Sequence, residues 1–361
     1  MQNLKKNLPK DSIIRASFII LIATAIFNAT NFFYHMISAR MLGPAEYSIV
    51  ASLFSIIYLL AIFSTTIQNS ITKFAAEFRS ERQEGKILFL FKRGMRRLLI
   101  LSSIILAAYL VISPLIASFL KIPLLPALIL GPSIILSIIL PVNRGILQGT
   151  QKFWPLSWNL IIEGALKLGL AVLFIYLGLK SSGAIAAVSI AAGAAFFISF
   201  KDLKFGKNDR IKSFNTKEVY KFSLIAMIAL FLITAMYNVD VFLVKHFLTA
   251  EQAGHYAAIS LLGKIVFLSA TAIGLVMFPK ISEMRKKRKD HSKVFKKSLI
   301  FTLAISLLIT LAYFIFSRQI VDIVFGNAYS DIAGLIGLFL SLIHISEPTR
   351  LLSISYAVFC L

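Results

Sequence analysis

The sequence predicts an all-α, polytopic membrane protein of two parallel-repeat helical lobes, the first with six spans and the second truncated at about four. Three observations predict it. Of 361 residues, 58% are hydrophobic and only 15% charged, with a mean hydropathy of +0.83; soluble domains carry about 45–50% apolar and about 25% charged residues. Apolar runs of about 20 residues recur along the whole chain, the length that crosses about 30 Å of hydrocarbon. The segments between those runs alternate between strongly basic and nearly uncharged. A secreted disulfide scaffold, a soluble enzyme and a disordered chain are excluded.

Helices that are apolar all round carry no useful period, so length and punctuation place them. The expected spans are 14–38, 48–72, 98–120, 124–147, 155–179, 183–200, 219–245, 255–279, 298–317 and a tenth from 331. Ahead of the first, Leu4–Arg15 is polar and basic, and no cleavable signal peptide is expected. One set of connections holds Lys5, Lys6 and Lys10, then the eight cations from Lys73 to Arg97, then Arg144 and Lys152. The same set continues with six cations from Lys201 to Lys217 and nine from Lys280 to Lys297. The other set has little beyond Arg40, Lys121, Lys180, Lys245 and Arg318. Cytoplasmic loops retain Lys and Arg, so the N-terminus is expected in the cytoplasm, in the inner or plasma membrane. The net charge of +22 follows from that bias without any nucleic acid. Phe74–Lys92 and Lys201–Lys221 mix aromatic, aliphatic and basic residues, as helices lying among membrane lipid headgroups do.

Lys201–Lys217 is the one convincing linker, with Gly206 and Asn208 as breakers. A pattern recurs on either side of it. ARMLGPAEYSIVASL (Ala39–Leu53) aligns without gaps with KHFLTAEQAGHYAAI (Lys245–Ile259), and FKRGMRRLLILSSIILAAYLVIS resembles FKKSLIFTLAISLLITLAYFIFS. Six spans separate the copies, an even number, so the repeat is parallel. The expected lobes are 1–203 and 204–339.

Enzyme chemistry finds no support. There is no G-x-x-x-x-G-K-[ST] phosphate loop, and His35, His246, His255 and His291 lack partners at metal spacing. Neither a cofactor nor a metal is expected. Polar residues inside spans remain, and these are costly and functional by default. Asn28, Asn31 and His35 share a face of the first helix. Gln68 and Asn69 lie near the inner end of the second, and Glu163 and Lys167 are one turn apart in the fifth. Tyr237 and Asp240 share a face of the seventh, and Lys264 sits a third of the way into the eighth. Structural roles stand beside the functional ones. Glu163 and Lys167 can neutralise one another, Lys264 can snorkel outward, and the asparagines can join helices. Arg144, Lys167 and Lys264 outnumber the carboxylates Glu163 and Asp240, a balance that suits an anion such as a diphosphate head group.

Three segments resemble a known family: NFFYHMISARMLGPAEYSIVASL, PVNRGILQGTQKF and NVDVFLVKHFLTAEQAGHYAA. They are similar to the oligosaccharide flippases, the Wzx-like polysaccharide biosynthesis proteins of the multidrug/oligosaccharidyl-lipid/polysaccharide exporter superfamily. The likeness runs through residues 12–339. Ser48 stands where that family usually has Gly, and its counterpart Gly254 keeps it. The resemblance implies movement of a polyprenyl-diphosphate-linked oligosaccharide to the outer leaflet by alternating access, driven by an ion gradient (Na+ or H+) or by membrane potential. It implies a polysaccharide polymerase and glycosyltransferases as partners. It places Arg144, Gly145, Gln148 and Gly149 where an entering head group passes, and Asp240 on the family's acidic position. On that basis Arg144, Lys167, Lys264, Asn28, Asn31 and His35 are the expected substrate contacts, and Asp240, Glu163 and Tyr237 the coupling or gating groups. An ion-coupled drug or metabolite antiporter of the same superfamily is the alternative; it wants a carboxylate in the first helix, and none stands between Ile13 and Arg40. Lipid II flipping and a non-transporting scaffold for glycan-assembly enzymes are further alternatives.

The C-terminal residues have a different resemblance. LSLIHISEPTR (Leu340–Arg350) reads as the in-frame translation of a transposase adapter used in sequencing libraries. ISYAVFCL (Ile354–Leu361) reads as the flow-cell primer at the far end of the same DNA, and Leu351, Leu352 and Ser353 fit the index between them. Residues 340–361, with the sole cysteine Cys360, are therefore expected to be adapter-derived, and the natural protein is expected to continue beyond Phe339.

Overall fold

The computed structural model describes residues 10–203, 211–236, 238–264 and 292–336. Among these residues there are helices and no strands, so the fold is all-α. Residues 340–361 and Tyr237 lie outside the described residues.

The first six expected spans all fall in helices. Helix α1 (Lys10–Ser80) carries two of them, broken at Gly43 with φ 73° and ψ 173°. Glycine tolerates that positive φ, and the extended ψ is what a following proline, here Pro44, imposes on its predecessor. Helix α2 (Glu84–Leu120) has 37 residues, about 55 Å at 1.5 Å per residue, so it is longer than a bilayer core. The fourth span is α3 (Leu124–Ile129) followed by α4 (Gly131–Gly149). The fifth is α5 (Phe153–Phe174), and a π-turn over Ile175–Leu179, with Gly178 at φ 84°, reverses the chain into α6 (Lys180–Phe200).

The seventh span departs from expectation. It is two helices, α7 (Lys217–Met236) and α8 (Val239–Phe247), rather than one helix over 219–245. The expected interfacial helices are corrected as well. Phe74–Ser80 simply completes α1, and residues 211–215 are not helical. The Asn215 side chain accepts the Lys217 N–H at 3.0 Å, satisfying an N-terminal donor of α7. Described residues of both segments join one apolar cluster: Ile71, Phe74, Ala75 and Phe78 meet Ile87, Leu90, Val142 and Ile146, with Leu203, Phe214 and Val219 against them. Cations beside this cluster lie over aromatic faces, Lys73 4.2 Å from the Phe222 ring and Lys86 5.2 Å from Phe78.

Next come a helix described over 250–264 (α9), then α10 (Ser292–Ile315) and α11 (Ser317–Val324), the last two meeting at 86°. A 3₁₀ turn, Asn327–Ile332, follows and leads into a helical turn described over 333–336. Packing groups these elements into two compact units. One holds the chain up to Ser38 together with Ile49–Phe247; the other holds Ala39–Ser48 and the chain from Leu248. These units describe packing and the expected lobes describe a repeat, so the two divisions differ in meaning.

Candidate functional site

In the first unit, one face of α5 carries Asn159, Glu163 and Lys167, each one turn from the next. The Glu163 carboxylate pairs with the Arg144 guanidinium from α4, and the two side chains are only 15% and 10% exposed. Arg144 Nε donates to Asn159 Oδ1 at 2.8 Å. Asn159 is held in turn by its Nδ2, which donates to the Ala195 carbonyl of α6 at 2.7 Å. One α4 cation is thus fixed by two α5 side chains, one of which is anchored to α6. Beside it, Asn143 Nδ2 donates to Ser199 Oγ at 2.7 Å.

Lys167 is buried, 5% exposed. Its Nζ lies 5.3 Å from the Tyr34 ring centroid and 5.5 Å from that of Phe27, both on α1, while Glu163 acts on it electrostatically. Tyr34 is fully buried and donates its hydroxyl to the Ala184 carbonyl at 2.9 Å. Aromatic faces partly replace the hydration that the ammonium has lost. Arg144, Glu163 and Lys167 together hold one more cation than carboxylate in a mostly buried setting.

The remaining expected residues are placed variously. His35 does not stand on an open face with Asn28. It is packed among Phe54 and Tyr58, with Nε2 3.0 Å from the Tyr58 hydroxyl. Asn28 is exposed and Asn31 half-buried. Gln68 and Gln148 meet, Nε2 to Oε1 at 2.9 Å, where α4 lies against the second half of α1. That contact is close because of Gly145 and Gly149: a Cβ at Gly145 would stand 2.8 Å from Ile71 Cβ, and one at Gly149 2.7 Å from the Thr72 carbonyl oxygen. Asp240 is half-buried in the first turn of α8, where a carboxylate suits the helix dipole. Lys264 is half-buried at the end of the described part of α9, in the other unit.

Asn159 and Tyr34 were not read from the sequence as site residues. Asn159 had a signal, standing one turn before Glu163 on the same face. Tyr34 had none, because an aromatic residue in an apolar helix is ordinary.

Comparisons agree with this fold. The family model described as polysaccharide biosynthesis protein matches residues 37–334. An uncharacterized membrane protein of Methanocaldococcus jannaschii is 27% identical over 302 residues, covering 78% of this chain and 69% of the relative. A Shigella flexneri protein named "Putative O-antigen transporter" is 23% identical over 304 residues, covering 81% and 71%. Among solved structures, the inward-facing conformation of a multidrug resistance MATE family transporter of the MOP superfamily superposes with a TM-score of 0.70 at 14% identity, covering 94% of this chain and 82% of that one. The lipid II flippase MurJ in an inward closed conformation gives 0.68 at 16% identity, covering 94% and 76%.

Proposed function

This chain belongs to the polysaccharide biosynthesis protein family, and from that premise we propose that it is a flippase carrying a polyprenyl-diphosphate-linked oligosaccharide from the cytoplasmic to the outer leaflet by alternating access, for surface polysaccharide assembly. The observation that carries the reading is the buried Arg144–Glu163–Lys167 group, with its excess of positive charge inside a membrane-spanning unit. A buried cation needs a partner, and a diphosphate offers several charged oxygens where Glu163 offers two. The head group competes with Glu163 for Arg144 and draws on Lys167 from one turn further along α5. Glu163, released, is then free to take a proton or Na+, which couples the step to an ion gradient. Lys264, Asn28, Asn31 and His35 are proposed as further contacts, Asp240 and Tyr237 as gating groups. The N-terminus lies in the cytoplasm, and a polymerase and glycosyltransferases are the partners that would receive and supply such a cargo.

Reconstituted vesicles holding a fluorescent polyprenyl-diphosphate oligosaccharide test the reading. The protein should carry the glycan lipid across the bilayer. Lys167→Met should cut the rate about tenfold or more, the scale of one charge-assisted contact, while Lys167→Arg retains most of it. Exchange of a cationic drug for protons or Na+, with the glycan lipid ignored, would instead establish the antiporter.

A further inference from the structure

Two helices of the first unit carry the same pattern on their exposed faces. In α2, Lys92, Arg93, Arg96 and Arg97 are all exposed. From Arg93 and Arg97, steps of three, four and seven residues lead to Ile100, Ile104, Val111 and Leu115, also exposed, Val111 by 79%. Such steps keep to one side of a helix, so a strip of cations runs straight into a strip of apolar side chains. The buried residues Ser102, Tyr109, Ser113 and Ala117 hold the opposite side. In α7, Lys217 and Lys221 are exposed, and Leu224, Ile228 and Phe231 follow them, again exposed, at steps of three and four. The other side of α7 turns inward, with Val219 against the apolar cluster and Ser223 donating to Ser70 Oγ at 2.7 Å.

The two strips change character at one level. Arg97 donates to the Tyr220 hydroxyl, and its guanidinium lies 5.8 Å from that ring. The exposed strip turns apolar three residues after Arg97, at Ile100, and three residues after Lys221, at Leu224. Arg93 lies 5.3 Å from the Phe89 ring, which packs on Phe214 with centroids 5.5 Å apart. Aromatic rings thus position two guanidiniums without neutralising them. Among the described residues, none of the four α2 cations is in an ion pair.

An occupant of this face needs negative charge at the level of Arg97 and hydrocarbon beside the residues that follow. An acidic protein surface meets the first requirement alone, whereas a phospholipid meets both. Phosphate oxygens accept parallel bonds from a guanidinium. The apolar strip from Ile100 to Leu115 is roughly 22 Å long, more than the depth of one leaflet of a hydrocarbon core about 30 Å thick. We propose that the exposed faces of α2 and α7 form a binding site for anionic phospholipid in the leaflet on the cation-bearing side. The phosphate sits on Arg93, Arg97 and Lys221, and the acyl chains lie along Ile100 and Leu224. The site shares no residue with the Arg144–Glu163–Lys167 group and does not depend on what the protein transports.

Ile100→Trp, in full-length protein that also carries Trp154→Phe and Trp158→Phe, places a single tryptophan beside the cations. In phosphatidylcholine vesicles its fluorescence is quenched by brominated phosphatidylglycerol or, in parallel, by brominated phosphatidylcholine. At equal, low mole fraction the phosphatidylglycerol should quench several-fold more strongly. Arg93→Gln with Arg97→Gln should abolish the difference. Arg79→Gln with Arg82→Gln removes the same charge from the exposed turn before α2, off the strip, and should preserve it. Equal loss in both pairs would overturn the site, because diffuse attraction alone produces that result. No preference in the parent would also overturn it and leave an acidic protein as the occupant. Displacement of the brominated phosphatidylglycerol by a lower mole fraction of polyprenyl diphosphate would assign the strip to the cargo instead, against the proposal. A retained preference in a protein that moves no glycan lipid supports the site and counts against the flippase reading alone.

Discussion

Glu163 is what permits Arg144 to be buried among the helices. A guanidinium at 10% exposure loses most of its hydration, and the carboxylate of Glu163 with the amide oxygen of Asn159 replaces it. Breaking such a pair from one side costs about 3–5 kcal/mol, whereas replacing both partners with apolar groups of similar volume is often neutral. Glu163→Leu should therefore lower the thermal unfolding temperature in detergent strongly, and Arg144→Met combined with Glu163→Leu should recover most of the loss. Glycan transport should stay abolished in the double variant, separating stability from function. A double variant no more stable than Glu163→Leu would mean that the pair is not the principal support of Arg144. The Glu163 and Lys167 positions were legible from sequence because charges inside an apolar span are conspicuous. Their real partners were not. Arg144 sits near the end of its span, where it reads as a loop residue, and the rings that receive Lys167 belong to a helix distant in the chain.

At the scale of elements, the α4 contact with the second half of α1 depends on two missing side chains. At Gly149 an added Cβ would meet Ala75 Cβ and the Thr72 carbonyl, both at 2.7 Å, and backbone cannot step aside. At Gly145 the nearest atoms are Ile71 Cβ and Cγ2 at 2.8 and 2.9 Å. Overpacking a tight contact costs about 1–3 kcal/mol, so Gly149→Ala should depress the unfolding temperature, with Gly145→Ala close behind. Gly169→Ala, in α5 with nothing within 4 Å, should leave it unchanged or raise it. Equal destabilisation by all three would show that helix approach is not the cause. The helices themselves were largely legible, because length and apolarity mark a span and Gly43–Pro44 marks a break. The division between α7 and α8 was not: Met236, Asn238 and Val239 include neither Gly nor Pro, so nothing in the local chemistry announces that the helix stops.

For the whole molecule, the distribution of charge makes the sharpest claim. The cations of α2 from Lys86 to Arg97 stand at one end of a helix too long for the bilayer, several of them resting on aromatic rings. At the other end of the same helix the chain carries the single cation Lys121 between Pro114 and Gly131. Such clusters are held on the cytoplasmic side because moving them across during insertion is costly. A phosphatase that is active only outside the cytoplasm should therefore be silent when inserted in the Lys201–Lys217 linker and active when inserted between Lys121 and Pro123. Replacing Lys92, Arg93, Arg96 and Arg97 with glutamine should weaken that contrast, since the basic loop after Lys280 and the N-terminal lysines would then carry the bias without them. The reverse pattern would turn the protein over, placing the Lys121 end of α2 at the cytoplasmic face. A cargo made in the cytoplasm would then meet that end first, and the proposed direction of transport would fail on geometry alone.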